Sequence, residues 1–359
     1  MNSVSKNNRL VRALLGWFSK NARVLPWRKT SDPYAIWISE IMLQQTQVKT
    51  VVPYWERWMR ELPTLESLAK AKPEKILKLW EGLGYYTRAR NLQNAAKMIC
   101  AKHGGKFPDH FDDVLALPGI GRYTAGAVCS IAFNQPTPVL DGNVIRVLTR
   151  VFGIAGNPRD KKTNEQLWNL AEQLVSNSKL KTQNLKLSCS FLNQSLMELG
   201  ALICTPRQPK CPLCPLQKNC IAFRENRTDR LPDLENRAEP TKRNFAAFIV
   251  EMKGRFFVRQ RPAKVVNAHL WEFPNVETTG TRSFSGDEFF HFPPADPPWF
   301  TIKHSITRYR ISLAVFRAAL RSERKISDGK WLRVSELRKL AFTSAHRKIL
   351  NRVELEFQL

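Results

Sequence analysis

The chain has 359 residues, 43% of them hydrophobic, which suffices for two packed domains. Its 57 Lys and Arg residues face only 31 Asp and Glu, and the net charge of +26 predicts a polyanionic partner, nucleic acid ahead of an anionic membrane surface. No apolar run approaches the roughly 20 residues that cross a bilayer, so the sequence excludes a membrane span.

The first 20 residues combine basic and apolar side chains and contain no acidic residue. This composition resembles an organelle presequence, but the segment runs into LPWR at 25–28 without a cleavage-like stretch, and we interpret it as an amphipathic helix. Helix-period patterns separated by short Pro, Gly or Asn breaks continue to residue 203. The sequence therefore predicts an all-helical region.

Glu40 lies in a largely apolar segment, 34–45. Ile36 and Trp37 lie one helical turn before it and Leu43 one turn after it, so the helix face that carries Glu40 is apolar. Desolvation there would raise the pKa of the carboxyl group and keep it a proton donor near neutral pH. The alternative is a structural carboxylate paired with an arginine.

The segment LPGIGR at 117–122 lies between two helical patterns. Gly119 and Gly121 would let the backbone turn tightly and point amide groups, at a helix N-terminus, toward an anion. This pattern predicts a helix-hairpin-helix that binds DNA phosphate. A bare turn between two helices would use glycine in the same way.

Asp141 ends an extended stretch and precedes an apolar helix, which is the position of an N-cap. Amide donors and the positive helix end would hold it ionised. A protonated Glu40 and an ionised Asp141 would divide the work of glycosidic-bond cleavage, one donating a proton and the other stabilising an oxocarbenium-like sugar. The pairing is a hypothesis that requires the two groups to be close.

Four of the seven cysteines lie within 17 residues in the arrangement C-x6-C-x2-C-x5-C. One loop, 204–220, can therefore wrap a single inorganic centre, and the spacing favours an iron-sulfur cluster over structural zinc, which usually uses two C-x2-C knuckles. The odd, clustered cysteines indicate a reducing compartment, cytoplasm being expected and a nucleus the alternative. The predicted ligands are Cys204, Cys211, Cys214 and Cys220.

A polar stretch at 223–243 has linker composition, and the hydrophobic period changes after it. Alternating strands around a turn at 253–254, a further strand at 311–315, a strand at 331–332 and a helix near 344–354 predict a small α/β domain over 244–359. Residues 278–299 are predicted to be a long irregular connection.

Together these motifs closely resemble the adenine DNA glycosylases of the MutY type, over residues 8–222. The resemblance implies a mainly α helix-hairpin-helix glycosylase domain with a [4Fe-4S] cluster loop, followed by a smaller α/β Nudix-like domain. It rests on LPWR at 25–28, SEIMLQQTQ at 39–47, GLGYY at 82–86, GIGRYT at 119–124, LDGN at 140–143, the cysteine quartet, and HLWEFP at 269–274.

The resemblance implies hydrolytic removal of adenine mispaired with 8-oxoguanine or guanine in double-stranded DNA, by a chain expected to act as a monomer. Glu40 would protonate adenine at N7, Asp141 would stabilise the cationic sugar, and Tyr123 and Asn143 would support them. The residues implied to contact the flipped adenine or to fill the space opposite 8-oxoguanine are Arg28, Gln194, Gln45, Leu83 and Tyr85. Ordinary helix-loop packing is the alternative for Leu83 and Tyr85.

The C-terminal domain would recognise 8-oxoguanine, and no Nudix-box constellation for magnesium-dependent hydrolysis is present in its sequence. Where the family usually shows Phe-Ser-His, this chain has Ile306-Thr307-Arg308, and Thr307 keeps a hydroxyl for the lesion.

Two other functions compete with adenine removal. The endonuclease III branch excises oxidised pyrimidines and cleaves the strand through a lysine, but that lysine would fall at Tyr123, so the expected amine nucleophile is missing. A catalytically silent DNA-binding protein would not need both Glu40 and Asp141.

Overall fold

The computed structural model of the protein describes residues 3–177, 188–235, 239–278, 290–291, 297–306, 308–320 and 329–356. The chain divides into two compact units. The first comprises Met1–Lys70 and Asn91–Asn236, and the second comprises Ala71–Arg90 and Arg237–Leu359. Among the described helices, none has the length and apolar character that crossing a membrane requires.

Within the described residues the chain is helical up to Leu202, which agrees with the helical region predicted to residue 203, and α5 and the start of α6 belong to the second unit. Short 3-10 helices occupy Pro26–Lys29, Cys211–Leu213 and Gln217–Asn219. The α-helices are α1 (Ser3–Asn21), α2 (Pro33–Leu43), α3 (Val48–Glu61), α4 (Leu65–Lys70), α5 (Pro73–Trp80), α6 (Thr87–Lys102), α7 (Phe111–Leu115), α8 (Arg122–Phe133), α9 (Gly142–Phe152), α10 (Lys161–Asn177), α11 (Ser188–Leu202) and α12 (Ile221–Arg224).

Local signals explain where the helices that carry the site begin and end. The side chain of Asp32 accepts a hydrogen bond from the N–H of Tyr34 and caps α2, whose first residue is Pro33. The amphipathic α1 packs against α10 and α11, and Leu10 and Leu14 are each 1% exposed in that core. The interpretation of the first 20 residues as an amphipathic helix is confirmed for residues 3–20, the part that the structure describes.

The second unit contains a mixed sheet, which within the described residues has eight strands. β1 is paired in parallel with β7 and antiparallel with β2 and β4; β7 is also paired with β5 and β6, and β2 with β3 and β8. The strands are β1 (Thr241–Met252), β2 (Arg255–Gln260), β3 (Trp271–Glu272), β4 (Asn275–Thr278), β5 (Phe290–His291), β6 (Phe300–Ile306), β7 (Tyr309–Leu320) and β8 (Lys330–Leu332).

The predicted strands and terminal helix of this unit are present. Lys253 and Gly254 have φ of 51° and 72°, and they form the tight hairpin turn that the sequence predicts. The helices α13 (Val334–Leu337) and α14 (Ser344–Glu356) follow, and α14 buries Ile349 and Leu350 against the sheet. The prediction of an irregular connection at 278–299 is wrong at β5, which pairs with β7. A strand of two residues is too short to show an alternating apolar pattern, and its pairing partner is distant in the sequence.

The segment Ala71–Arg90 groups with the C-terminal unit, although the sequence reads as one continuous helical region. The N–H of Phe342 donates to Oε1 of Glu81 at 2.8 Å, and Nζ of Lys78 donates to the carbonyl oxygen of Leu340 at 2.8 Å. These contacts join residues that are far apart in the chain, so no local sequence pattern predicts them. The domain limits 8–222, 223–243 and 244–359 remain a prediction.

Candidate active site

Glu40 lies on α2, where residues 34–42 are all buried, and is itself 5% exposed. The hydroxyl of Tyr123 on α8 donates to its Oε2 at 2.7 Å. Burial raises the pKa of Glu40 to about 7; the Tyr123 hydrogen bond and the charge of Arg28 oppose this rise, and the charge of Asp141 adds to it. Glu40 can therefore hold or release a proton near neutral pH.

Tyr123 can act here only as a neutral hydrogen-bond donor. Burial, followed by the charge of Glu40, raises the pKa of Tyr123 well above its ordinary value. The Sδ atom of Met197 lies 3.4 Å from the same hydroxyl oxygen and helps to fix the ring's position.

Asp141 is the N-cap of α9, as predicted. Its Oδ1 accepts from the N–H of Val144 at 2.7 Å, and its Oδ2 accepts from Nδ2 of Asn143 at 2.9 Å. Burial raises the pKa of Asp141 above its ordinary value, and these hydrogen bonds and the charge of Arg146 reduce that rise without cancelling it. The hydrogen bonds of the N-cap thus favour the ionised carboxylate, whereas burial, which the sequence does not reveal, disfavours it.

Arg146 ties this pair to the cysteine loop, a role that sequence reasoning missed. The side chain is 9% exposed and donates to Oδ1 of Asn143 at 2.8 Å, to the carbonyl oxygen of Gly200 at 2.7 Å and to that of Cys204 at 2.6 Å. A Cβ on Gly200 would lie 2.6 Å from Cβ of Asn143, so this close approach requires glycine. The only local signal is the i, i+3 spacing of Asn143 and Arg146.

One cavity of about 480 Å³ is lined by seven of the twelve residues predicted for catalysis and DNA binding. This volume lies within the usual range for small-molecule pockets. The cavity is lined by Arg28, Glu40, Gln45, Tyr123, Asp141, Asn143 and Gln194 among the predicted residues, and by Arg23, Met197 and Glu198 among those not predicted. The hypothesis that Glu40 and Asp141 share one site agrees with this geometry.

One part of the cavity wall consists of polar side chains that are hydrogen-bonded to one another. Nε of Arg28 donates to Oε1 of Gln194 at 3.1 Å, and Nε2 of Gln194 donates to Oγ of Ser190 at 3.1 Å. The carboxylate that pairs with arginines here is Glu198, bound by both Arg23 and Arg28. The structural-carboxylate alternative that the sequence left open for Glu40 therefore describes Glu198 instead.

Comparison with known proteins places this site in a family. Residues 38–173 match the HhH-GPD superfamily of base excision DNA repair proteins, and residues 246–352 match the NUDIX domain. The chain is 35% identical to an adenine DNA glycosylase of Rattus norvegicus, over 94% of this chain and 76% of that protein. It is 40% identical to one of Buchnera aphidicola subsp. Schizaphis graminum, over 74% of each.

The chain belongs to the adenine DNA glycosylase family. A solved structure described as a thermostable thymine-DNA glycosylase is 32% identical, with a TM-score of 0.55, covering 62% of this chain and 100% of that one. The fold predicted from the sequence, a helix-hairpin-helix glycosylase domain followed by a Nudix-like domain, is confirmed.

The family's hairpin lies between α7 and α8, and its two glycines differ in their structural requirements. Gly119 has φ of +77°, and a Cβ there would lie 2.6 Å from the side chain of Asn91. Gly121 is exposed with φ of −102°, and nothing lies within 4 Å of its Cβ position. The prediction that both glycines are needed for the turn holds for Gly119 only; Gly121 leaves the N-terminus of α8 open.

A matched pair of substitutions separates these requirements. Gly119→Ala should lower the free energy of unfolding by about 1–3 kcal/mol because of its positive φ and the clash with Asn91. Gly121→Ala, at the N-cap of α8, should lower stability by no more than about 1 kcal/mol but weaken duplex DNA binding about tenfold, because the added methyl group would obstruct the approach of a phosphate to the backbone N–H groups. Urea unfolding and fluorescence anisotropy measure the two effects. Unchanged DNA affinity in Gly121→Ala would refute the phosphate-binding role.

Leu83 and Tyr85, which the resemblance predicts as DNA contacts, do not line the cavity. Leu83 is buried at 6% exposure, as the packing alternative expects, whereas Tyr85 is 48% exposed with φ of 47°. The guanidinium of Arg88 lies 5.7 Å from the Tyr85 ring centroid and donates to the carbonyl oxygens of Leu83 and Gly84, which holds this turn in shape. Thr307 lies outside the described residues.

The four cysteines of the loop line one shared pocket next to α9. Nη1 of Arg150, a residue 2% exposed, lies 3.4 Å from Sγ of Cys204, and Sγ of Cys220 lies 3.4 Å from the carbonyl oxygen of Arg150. Within the described ranges, no group of three or more His, Cys, Asp or Glu side chains forms a site for one metal ion. Cys129 and Cys189 are buried core thiols, while Cys100 is partly exposed.

Proposed function

We propose that this chain removes adenine from DNA by hydrolysis of the N-glycosidic bond, acting on adenine mispaired with 8-oxoguanine or guanine in double-stranded DNA. The observation that carries the proposal is the placement of two carboxyl groups of different character in one cavity. Glu40 is buried and its pKa is near neutrality, and Asp141 is supported by amide donors. The named activity of the relatives supplies the substrate class.

Glu40 is proposed to be the general acid. At neutral pH a substantial fraction of it is protonated, and in a cavity of this size it would meet an extruded base rather than a stacked one. Protonation of adenine at N7 would make the base a better leaving group. The Tyr123 hydroxyl, 2.7 Å from Oε2, holds the carboxyl group in place for this transfer.

Asp141 is proposed to stabilise the positive charge that develops on the sugar as the bond breaks. Its oxygens are held by Val144 and Asn143, so little reorganisation accompanies the charge development. Arg28 and Gln194 would contact the base, since both lie in the polar wall of the same cavity.

The partner base is proposed to be recognised elsewhere. The residues proposed to fill the space opposite 8-oxoguanine are Gln45, which follows α2 with φ of 57°, the exposed Tyr85, and Leu83, which is buried. The Nudix-like domain would bind the oxidised base itself through the 306–308 segment. Arg308, exposed beside the Tyr309 ring at 5.1 Å, offers a cation there, and Thr307 would offer its hydroxyl.

The cofactor is proposed to be a [4Fe-4S] cluster on Cys204, Cys211, Cys214 and Cys220. The donor set fits, because four thiols face one pocket and the buried cation Arg150 lies beside one of them, where it would balance thiolate charge. A bound cluster would hold the loop in shape and present the exposed Arg207 and Lys210 to phosphate.

Metal analysis of the purified chain tests this assignment. Iron and acid-labile sulfide should be present in equal amounts, and Cys204→Ser should lose most of both. Cys100→Ser, outside the loop, serves as the control and should keep its iron. Protein that binds one zinc and lacks iron and sulfide would overturn the cluster assignment without touching the glycosylase proposal.

The bifunctional lyase remains the alternative, and Tyr123 argues against it. The residue at the position of the expected lysine is a phenol whose hydrogen bond goes to Glu40. With its pKa raised well above the ordinary value, this hydroxyl is a poor nucleophile.

Excision assays on duplexes that differ only in the base opposite adenine test the substrate proposal. Adenine should be released from pairs with 8-oxoguanine and with guanine but not from pairs with thymine, because a paired base costs more to extrude. Equal release from all three duplexes would show that the partner base is not read.

A further inference from the structure

Glu198 on α11 is a carboxylate in the cavity wall that is 1% exposed and fully committed to two arginines. Its Oε1 accepts from the backbone N–H and Nε of Arg23 at 2.9 and 2.8 Å, and from Nη1 of Arg28 at 3.1 Å. Its Oε2 accepts from Nη2 of Arg23 at 2.7 Å and from Nη2 of Arg28 at 3.0 Å. These bonds saturate the lone pairs of an ionised carboxylate. We call Glu198, Arg23 and Arg28 the arginine clamp.

The clamp continues along one face of α11. Ser190, Gln194 and Glu198 are spaced four residues apart, which places them in line on the helix. Arg28 bridges the last two, donating through Nε to Gln194 and through Nη1 and Nη2 to Glu198. The direction of the Arg28 side chain is therefore set by α11 together with the carbonyl oxygen of Arg23, to which Nη1 donates at 3.0 Å.

The clamp also controls charge near the general acid. The hydrogen bonds from Arg23 and Arg28 lower the pKa of Glu198 to about 2 despite its burial, so it is ionised at every working pH. Two cations and one anion leave one net positive charge in the wall. The charge of Arg28 acts on Glu40 and favours its ionised form.

We propose that Glu198 is a positioning residue for catalysis: it fixes Arg28 in the cavity wall and offsets the arginine charge, which keeps Glu40 a proton donor. The catalytic meaning of this role rests on the proposed function, but the electrostatic role does not. The other groups that act on Glu40 are Tyr123 from α8 and Asp141, the N-cap of α9. The side chains of α3 that donate hydrogen bonds to α2 include Trp55 and Trp58, neither of which titrates.

A purely structural clamp, which only fastens residues 23–28 to α11, predicts something different. Its loss would lower stability or activity in any variant, but it would not predict in which direction the titration midpoint of Glu40 moves. An electrostatic role predicts opposite displacements of the Glu40 titration when the anion or a cation is removed. The sign therefore separates the two roles.

The test is a titration of Glu40 by NMR in the full chain labelled with carbon-13 at the glutamate side-chain carboxyl, with Glu40→Gln used to assign the signal. Glu198→Gln leaves two net positive charges in the wall and should lower the Glu40 midpoint by about one pH unit. Arg28→Gln leaves no net charge in the wall and should raise the Glu40 midpoint by a similar amount. The double variant restores one net positive charge and should titrate like the unsubstituted chain.

Glu225→Gln, which removes a carboxylate paired with Arg227 outside the cavity, is the control for loss of one negative charge and should leave Glu40 unchanged. An unshifted Glu40 in Glu198→Gln, or shifts of the same sign in both single variants, would overturn the proposal. Should Glu198→Gln fail to fold, Arg28→Gln and the double variant carry the same test.

In a parallel single-turnover assay, Glu198→Gln should be about tenfold slower at pH 8.

The two proposals fail separately in these measurements. A chain that releases no adenine refutes the proposed function, and the Glu40 titration, which needs no DNA, still decides the role of Glu198. A chain that releases adenine but keeps its Glu40 midpoint in Glu198→Gln refutes only the further inference.

Discussion

Glu40→Gln should lower the single-turnover rate of adenine release by about 10²–10⁴-fold, because the amide keeps the shape of the side chain but cannot protonate the base. Since burial sets the pKa of Glu40 at about 7, the wild-type rate should fall as pH rises above 7 and the acid is lost. In Glu40→Gln the residual rate should not follow this ionisation.

The same substitution should make the protein more stable at alkaline pH. The pKa of Glu40 is about 7 in the folded chain, against an ordinary value of 4.5, so its contribution to stability is complete below pH 4.5 and is lost as pH rises through 7. Removing the group should therefore stabilise the fold at pH 8 by up to about 3 kcal/mol, measured by urea unfolding. Glu56→Gln, on the exposed face of α3, is the matched control for both measurements. Wild-type excision by Glu40→Gln would show that another group is the acid.

Asp141→Asn should lower the rate of excision by about 10²–10³-fold while leaving α9 capped. Asparagine is as good an N-cap as aspartate and can still accept from the N–H of Val144, so the change removes the charge and keeps the fold. Because the charge of Asp141 raises the pKa of Glu40, the alkaline limb of the rate profile should also move to lower pH in this variant.

Asp32→Asn provides the control, since Asp32 caps α2 in the same way and does not line the cavity. Its excision rate should match that of the unsubstituted chain, and thermal unfolding of both variants should be close to wild type. Full activity in Asp141→Asn would show that the ionised carboxylate is not needed at the sugar.

The features of the site that sequence reasoning finds are those with a local cause. The apolar face around Glu40 predicts its burial, the extended stretch before Asp141 predicts its capping role, and the glycine at 119 predicts a turn with positive φ. Each of these depends on residues within one or two helical turns. The family resemblance then supplied the substrate and the roles.

The features that sequence reasoning missed are made by contacts between distant segments. Glu198 binds Arg23 across 175 positions, and Arg146 reaches Cys204 across 58. No single segment of the sequence therefore predicts that the cavity wall is polar. The position of Ala71–Arg90 in the C-terminal unit has the same origin, because α5 looks like an ordinary amphipathic helix and does not reveal which core its apolar face joins.

The central claim is that a neutral Glu40 and an ionised Asp141 hydrolyse the glycosidic bond of adenine. The most direct test is a single-turnover reaction on a duplex with adenine opposite 8-oxoguanine, with the released base identified by chromatography and borohydride added in parallel. The account predicts one free adenine per duplex, an uncut abasic strand and no trapped covalent complex. Failure to release adenine, or a covalent complex trapped on a duplex with an oxidised pyrimidine, would contradict it.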